Sequence, residues 1–195
     1  MYNILPIHDQ WAATYISKVG CSTVAIQNIC YYNNIDIKNY GIYHYEHIHY
    51  IHEARINEPI GDRHVVGIFR NPVERFISAW KGKQVGMPHL TANEVINLML
   101  SEKRKYGEIQ NLHYREQCKQ YDIGAADLYV ELKDYNEFCN LYNIPIITVN
   151  KNPNLNYKQE AILTDDDIAL IKDFYQKDYE YIESIRKSGK LYISN

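Results

Sequence analysis

One short segment constrains the fold of this chain more than any other: an apolar run that ends at an arginine and leads directly into a helix. Residues His64 to Phe69 have the length and β-branched content of a buried strand. Asn71 suits the cap of a following helix, Pro72 suits its first position, and Glu74 stands three residues after the cap. The segment therefore predicts a strand, a tight connection and an amphipathic helix in direct succession.

The same alternation of apolar runs and helical periodicity recurs along the chain. Predicted strands cover residues 12–16, 64–69, 127–132 and 144–149. Predicted helices follow the loop at 18–23 and the strand at 64–69, cover 91–103 and 135–142, and begin again at a capping box of Thr164 and Asp167. Strands that alternate with helices predict an α/β fold in three layers, with a central parallel sheet flanked by helices.

Length and composition indicate one globular domain over residues 1–195. The chain is 46% hydrophobic and 23% charged, which excludes a disordered or collagen-like protein. No repeat or Pro/Gly/Ser linker divides it. The polar segment over residues 86–122 is interpreted as an insertion that covers one face of the domain.

Charge and patterning also restrict the partners. A net charge of −3 argues against a nucleic-acid binder attracted by bulk electrostatics. The absence of a long apolar run or a signal-like start predicts a cytoplasmic protein that does not enter a membrane. The four cysteines are far apart and show no CxxC spacing, so we expect reduced thiols.

Two strand-to-helix junctions carry residues suited to bind anions. At the first, Lys18 supplies charge, Gly20 permits close approach of the backbone, and Ser22 and Thr23 bring hydroxyls to a helix N-terminus. The lysine precedes the glycine, unlike the Walker A order GxxxxGK[ST], which weakens the prediction of an ATPase. An ordinary surface turn with a solvated lysine is the alternative.

At the second junction, Arg70 precedes the helix and can bind a phosphate through paired N–H donors. Ser78 lies two turns further along the same helix, close enough to reach a ligand that lies along it. Arg75 is on the same stripe, but taken alone it is more often a structural salt-bridge partner.

These two junctions resemble the donor-binding motifs of the carbohydrate sulfotransferases that use 3′-phosphoadenosine 5′-phosphosulfate (PAPS). Residues 18–23, Lys-Val-Gly-Cys-Ser-Thr, resemble the 5′-phosphosulfate loop. Residues 68–80, Ile-Phe-Arg-Asn-Pro-Val-Glu-Arg-Phe-Ile-Ser-Ala-Trp, resemble the 3′-phosphate motif, and 111–115 resemble a later His-Trp-Arg stretch. Asn71 departs from the family, which usually has an acidic residue there.

The resemblance implies a P-loop-like fold and a sulfotransferase that moves a sulfuryl group from PAPS to a hydroxyl, most simply on a saccharide, and releases 3′,5′-ADP. It assigns the 5′-phosphosulfate to Lys18, Gly20, Cys21, Ser22 and Thr23 and the 3′-phosphate to Arg70 and Ser78. Lys18 would also stabilise the departing phosphate. No metal is required, because the sulfuryl group carries less charge than a phosphoryl group.

A base for the acceptor hydroxyl is sought in residues 43–52, which hold four of the eight histidines. His47 lies nearest to the position of the histidine base in uronyl 2-O-sulfotransferases, and Glu46, His49 and His113 are its rivals. Glu46, His49, His113 and Arg115 are also candidates for acceptor binding. A zinc site is disfavoured, since two histidines on one strand face lack a clear third ligand.

Tyrosine is unusually frequent, with 19 tyrosines against four phenylalanines. Tyr129 and Tyr175 fall at positions where a core would otherwise use phenylalanine. A smaller group surrounds the candidate histidines and is predicted to line the acceptor cleft: Tyr43, Tyr45, Tyr50 and Tyr114.

Two other functions stay open at this level. A nucleotide-binding, kinase-like P-loop protein would prefer ATP with Mg²⁺ over 3′,5′-ADP. A non-catalytic module would bind 3′,5′-ADP without any transfer. The lack of a signal or anchor suggests a bacterial or viral cytoplasm for either the enzyme or the module.

Overall fold

The fold was examined in a computed structural model, which describes residues 4–14, 16, 19, 21–34, 59–83, 90–120, 123–146 and 163–193. Four strands form one sheet within these residues: β1 (Ile4–Pro6), β2 (Trp11–Thr14), β3 (His64–Phe69) and β4 (Leu128–Glu131). Their order across the sheet follows the chain, β1-β2-β3-β4.

The sheet is mixed, and its parallel part agrees with the prediction. β2, β3 and β4 are parallel, with Ala13 opposite Val66 and Val66 opposite Leu128. β1 was not predicted and pairs antiparallel with β2, since the short turn after it brings the chain straight back. Of the strand predicted at 144–149, residues 144–146 are irregular and the others lie outside the described residues.

Helices flank this sheet, so the α/β class is confirmed. The described helices are α1 (Cys21–Asn33), α2 (Pro72–Lys83), α3 (Ala92–Tyr106), α4 (Tyr135–Leu141), α5 (Asp165–Phe174) and α6 (Gln176–Lys187). α2 begins at the predicted proline. α3 begins at Ala92, one residue after the predicted start at Thr91, which is its cap.

The long helix predicted after Thr164 starts as expected but is divided at Tyr175. Thr164 and Asp167 form the capping box, whereas Tyr175 adopts φ −101° and ψ 24° and ends α5. Its buried hydroxyl donates a hydrogen bond to the Tyr114 carbonyl at 2.7 Å. The break allows α5 and α6 to pack on different parts of the core, as Ile171 and Ile182 show.

Two hydrophobic clusters lie in the described residues. The larger joins the sheet to α1, α4 and α6 through residues such as Val24, Phe138 and Ile182. The second joins α2, α3 and α5 through Phe76, Ile96 and Ile171 with their neighbours. On α2, Phe76 and Ala79 are fully buried together with the charged Arg75.

Tyr129 and Tyr175 are both fully buried, as their sequence positions suggested. The Tyr129 ring lies against Gly67 on the neighbouring strand, where an added Cβ would stand 2.5 Å from ring carbons. Gly67 therefore leaves the space that this tyrosine occupies in the core. No helix among the described residues is long and apolar enough to span a membrane.

Candidate functional site

The carboxyl ends of β2 and β3 form the edge of the sheet at which both candidate junctions lie. These strands are adjacent and parallel, so α1 and α2, which follow them, begin on the same side. The last matched pair is Ala13 with Val66, and beyond it the Thr14 hydroxyl accepts the Ile68 N–H at 2.9 Å. Ligands in open parallel sheets bind outside this carboxyl edge.

The first junction contributes the opening turn of α1. Cys21, Ser22 and Thr23 are the first three residues of the helix, and each is half-buried. Their backbone N–H groups are at the positive end of a helix of 13 residues. Lys18 and Gly20 lie outside the described residues.

At the second junction, Asn71 caps α2. Its Oδ1 accepts the Val73 N–H at 3.0 Å and the Glu74 N–H at 3.4 Å. The Glu74 carboxylate lies 3.5 Å from Nε of Arg70, whose side chain is 25% exposed. The Arg70 guanidinium therefore stands at the helix start with part of its surface open to solvent.

The other two polar positions of the motif lie three residues apart on the same face of α2, but they differ in burial. Ser78 is half-buried, whereas Arg75 is fully buried and donates from Nη2 to the Leu112 carbonyl at 3.3 Å. Burial lowers the pKa of Arg75, while nearby groups that include Asp178 and Cys21 act in the opposite direction.

A glutamine from a distant part of the sequence holds the peptide groups of Arg70. Gln117 is 1% exposed, its Oε1 accepts the Arg70 N–H at 3.0 Å, and its Nε2 donates to the Arg70 carbonyl at 2.9 Å. The one residue between β3 and the cap of α2 thus has both backbone groups fixed by a side chain.

Asp178 on α6 fixes the glutamine in turn. Its two carboxylate oxygens accept the backbone N–H groups of Gln117 and Cys118, each at 3.0 Å. Asp178 is fully buried, and burial raises its pKa although these hydrogen bonds and Arg75 act to lower it. Burial, followed by the negative Asp178, raises the pKa of the Cys118 thiol to about 12.

Glu116 adds a second buried carboxylate beside this segment. Its Oε1 lies 3.1 Å from Nζ of Lys103 and 3.5 Å from Nζ of Lys119. Burial alone would raise its pKa, but hydrogen bonds and the two lysines lower it below its usual value. The segment 116–118 is therefore held by charges from α3 and α6 as well as by its own backbone.

The candidate acceptor residues 113 and 115 lie in a turn that packs on α2. His113 Nδ1 is 3.2 Å from Asn111 Oδ1. Arg115 donates from Nε to the Ile109 carbonyl at 2.8 Å and from Nη2 to Glu108 at 3.4 Å. The guanidinium of Arg115 thus stabilises the turn to which it belongs. Tyr114, between His113 and Arg115, is buried.

The proposed base and its neighbours lie outside the described residues. This applies to His47, Glu46 and His49, and to Tyr43, Tyr45 and Tyr50. Their roles stay predictions.

Sequence reasoning missed Gln117, which bonds the backbone of the second junction, and Asp178, which bonds the backbone of Gln117. Both lie in polar segments without a motif, and their partners are 47 and 61 residues away in the chain. Only Asp178 gave a signal, since it lies three residues after Tyr175 and four before Ile182, on the apolar side of the helix predicted there. Arg75, interpreted as a structural salt-bridge partner, is fully buried and donates to the Leu112 carbonyl.

A surface cavity of about 640 Å³ lies at the opposite, amino-terminal edge of the parallel strands. Trp11, His64 and Leu128, the first residues of β2, β3 and β4, line it together with Tyr142. The Cys21–Thr23 turn, Arg70 and Ser78 are not among its lining residues, so this cavity is separate from the predicted donor site.

Within the described part of the chain, no three His, Cys, Asp or Glu side chains are grouped closely enough to hold a metal ion. All four cysteines are described there and none forms a disulfide. Comparison with models of known protein families, with curated proteins and with solved structures gives no match.

Proposed function

We propose that this chain is a sulfotransferase with a P-loop-like fold that transfers a sulfuryl group from PAPS to the hydroxyl of a saccharide. One observation carries the proposal. The two segments that resemble the 5′-phosphosulfate loop and the 3′-phosphate motif follow neighbouring parallel strands, and the helices that they begin start on the same edge of the sheet.

The two helix starts suit the two phosphorylated ends of the donor. The α1 turn Cys21–Thr23 offers N–H groups and hydroxyls for the 5′-phosphosulfate, with Lys18 and Gly20 before it. Arg70 and the N-terminus of α2 would bind the 3′-phosphate, with Ser78 further along the helix.

In the reaction, the acceptor oxygen attacks sulfur as the bond between sulfur and the bridging phosphate oxygen breaks. Negative charge grows on the departing phosphate, and Lys18 with the α1 N–H groups would stabilise it. The acceptor proton goes to the base, for which His47 is the first candidate. The products are the sulfate ester and 3′,5′-ADP.

Calorimetry with 3′,5′-ADP tests the donor site. Arg70→Ala should weaken binding about 100-fold, since a charge-assisted phosphate contact contributes about 2 to 3 kcal/mol. Arg186→Ala is the matched control, because Arg186 is exposed on α6 and pairs only at the surface with Glu183. Equal affinity of the wild type and Arg70→Ala would contradict the assignment, as would a preference for ATP with Mg²⁺.

Transfer itself is tested by incubating the protein with isotopically labelled PAPS and a panel of saccharides, followed by mass spectrometry. A labelled sulfate ester is expected. His47→Ala should bind 3′,5′-ADP as the wild type does and lose turnover, whereas His8→Ala should retain both. Nucleotide binding without transfer to any acceptor would favour the non-catalytic module.

A further inference from the structure

The connection between β3 and α2 is fixed by a side chain that belongs to neither element. Arg70 follows Phe69, the last residue of β3, and precedes Asn71, the cap of α2. Gln117 accepts the Arg70 N–H at 3.0 Å and donates to its carbonyl at 2.9 Å. With both peptide groups bonded, the backbone of Arg70 has little freedom to rotate.

The glutamine is itself held firmly. Asp178 accepts the N–H groups of Gln117 and Cys118 with its two oxygens at 3.0 Å each. Gln117 and Asp178 are 1% and 0% exposed. Burying an amide and a carboxylate is unfavourable unless they are hydrogen-bonded, so these polar groups favour one arrangement of the chain over its alternatives.

The guanidinium of Arg70, unlike its backbone, is partly exposed to solvent. The side chain is 25% exposed, and its ion pair with Glu74 at 3.5 Å is on the surface. The backbone is thus fixed by buried bonds while the charged group stays open to solvent. A fixed backbone with a partly exposed guanidinium is suited to bind a ligand, because the charged group is already oriented and stays accessible.

We propose that Gln117, held by Asp178, is a positioning residue for Arg70 and for the N-terminus of α2, and that it acts in the binding of the donor's 3′-phosphate. This inference rests on the proposed function. The 3′-phosphate would be bound by the Arg70 side chain and by the N–H groups that follow Asn71, and the peptide that Gln117 holds joins these two sets of donors. Without Gln117, binding would have to order that peptide first.

The test compares two ligands that differ only in the 3′-phosphate. The ratio of the Kd of adenosine 5′-phosphate to the Kd of 3′,5′-ADP measures the contribution of that phosphate in each variant. Gln117→Leu should lower this ratio about tenfold, because two hydrogen bonds that position Arg70 are lost. Gln110→Leu is the matched control, since Gln110 is exposed in the same segment, and its ratio should equal the wild-type ratio.

A double-mutant cycle separates positioning from general stability. In an Arg70→Ala background, Gln117→Leu should lower the ratio by much less than tenfold, because the part of its effect that acts through the Arg70 side chain is already lost. A purely structural role would lower the melting temperature and leave the ratio unchanged. If circular dichroism shows that Gln117→Leu does not fold, Gln117→Glu replaces it, which retains the acceptor for the Arg70 N–H and loses the donor to the carbonyl; its ratio should also fall.

The outcomes distinguish this inference from the proposed function. A wild-type ratio near one overturns the proposed donor site, and the inference falls with it. A high wild-type ratio that persists in Gln117→Leu, or in Gln117→Glu where that variant is used, overturns the inference alone.

Discussion

Three helices begin with the same local pattern, a polar cap followed three residues later by an acidic residue. They differ in which residues hydrogen-bond the backbone groups at the helix start. In α3, Thr91 Oγ1 accepts the Glu94 N–H and the Glu94 carboxylate accepts the Thr91 N–H at 2.7 Å. In α5, Thr164 and Asp167 make the same reciprocal pair. Both helix starts are satisfied by residues within one turn.

The start of α2 is completed from elsewhere in the chain. Asn71 supplies its half of the cap, whereas the Glu74 carboxylate lies 3.5 Å from Arg70, and Gln117 holds the residue before the cap. The comparison shows that a local capping signal fixes the residue at which a helix begins, while distant contacts fix the backbone conformation of the residue before the cap. A helix start with that extra support is suited to bind a ligand.

The largest expected effect comes from removing the distant support. Asp178→Ala should lower the free energy of unfolding by about 3 to 5 kcal/mol, because two buried N–H groups lose their acceptor, at about 1 to 3 kcal/mol each. Urea denaturation measures it. Asp173→Ala, at an exposed position of α5, should change stability by less than about 0.5 kcal/mol. Similar values for the two variants would show that the α2 start needs no support from α6.

Removing the caps should distinguish α2 from α3 and α5 by its effect on nucleotide binding. Thr91→Ala and Thr164→Ala should each lose about 1 kcal/mol of stability and leave the affinity for 3′,5′-ADP unchanged. Asn71→Ala should lose a similar amount of stability and also weaken nucleotide binding. Denaturation and calorimetry on all three variants provide the check, and equal affinities throughout would remove the distinction between α2 and the other helices.

The two buried carboxylates around residues 116–118 should respond to pH with opposite signs. Glu116 has a lowered pKa, so its stabilisation is present above the ordinary glutamate value of 4.5 and is lost as pH falls. Asp178 has a raised pKa, so its contribution is full below the ordinary aspartate value of 3.8 and decreases as pH rises through the raised pKa. Urea denaturation at a series of pH values measures the free energy of unfolding. Its fall towards acid pH should be smaller in Glu116→Gln than in the wild type, and its fall as pH rises above 3.8 should be smaller in Asp178→Asn.

The smallest effect is expected at the surface pair of α2. Glu74→Gln should change the free energy of unfolding by less than about 0.5 kcal/mol, because the ion pair of Glu74 with Arg70 is at the surface. It should tighten binding of 3′,5′-ADP about twofold at low salt, since a carboxylate next to the proposed phosphate site is removed. Glu183→Gln, an exposed acid on α6, should have no such effect. Weaker binding by Glu74→Gln would mean that Glu74 helps to position Arg70.

Local patterns were sufficient for most element boundaries. β3 occupies the predicted His64–Phe69, and the caps at Asn71, Thr91 and Thr164 stand where hydrogen-bonding side chains precede helical periodicity. These features depend on residues within one turn of each other. The antiparallel β1 was missed, since its three residues are too short for a periodic signal.

The sequence by itself determined the α/β class, the starts of α2, α3 and α5, and the two segments with residues suited to bind anions, because each depends on neighbouring residues. Only the tertiary structure decided that α5 and α6 separate at Tyr175, that Arg75 is buried, and that Gln117 and Asp178 hold the residue between β3 and α2. Those contacts join side chains dozens of positions apart, and the geometry that makes a hydrogen bond exists only once the chain has folded.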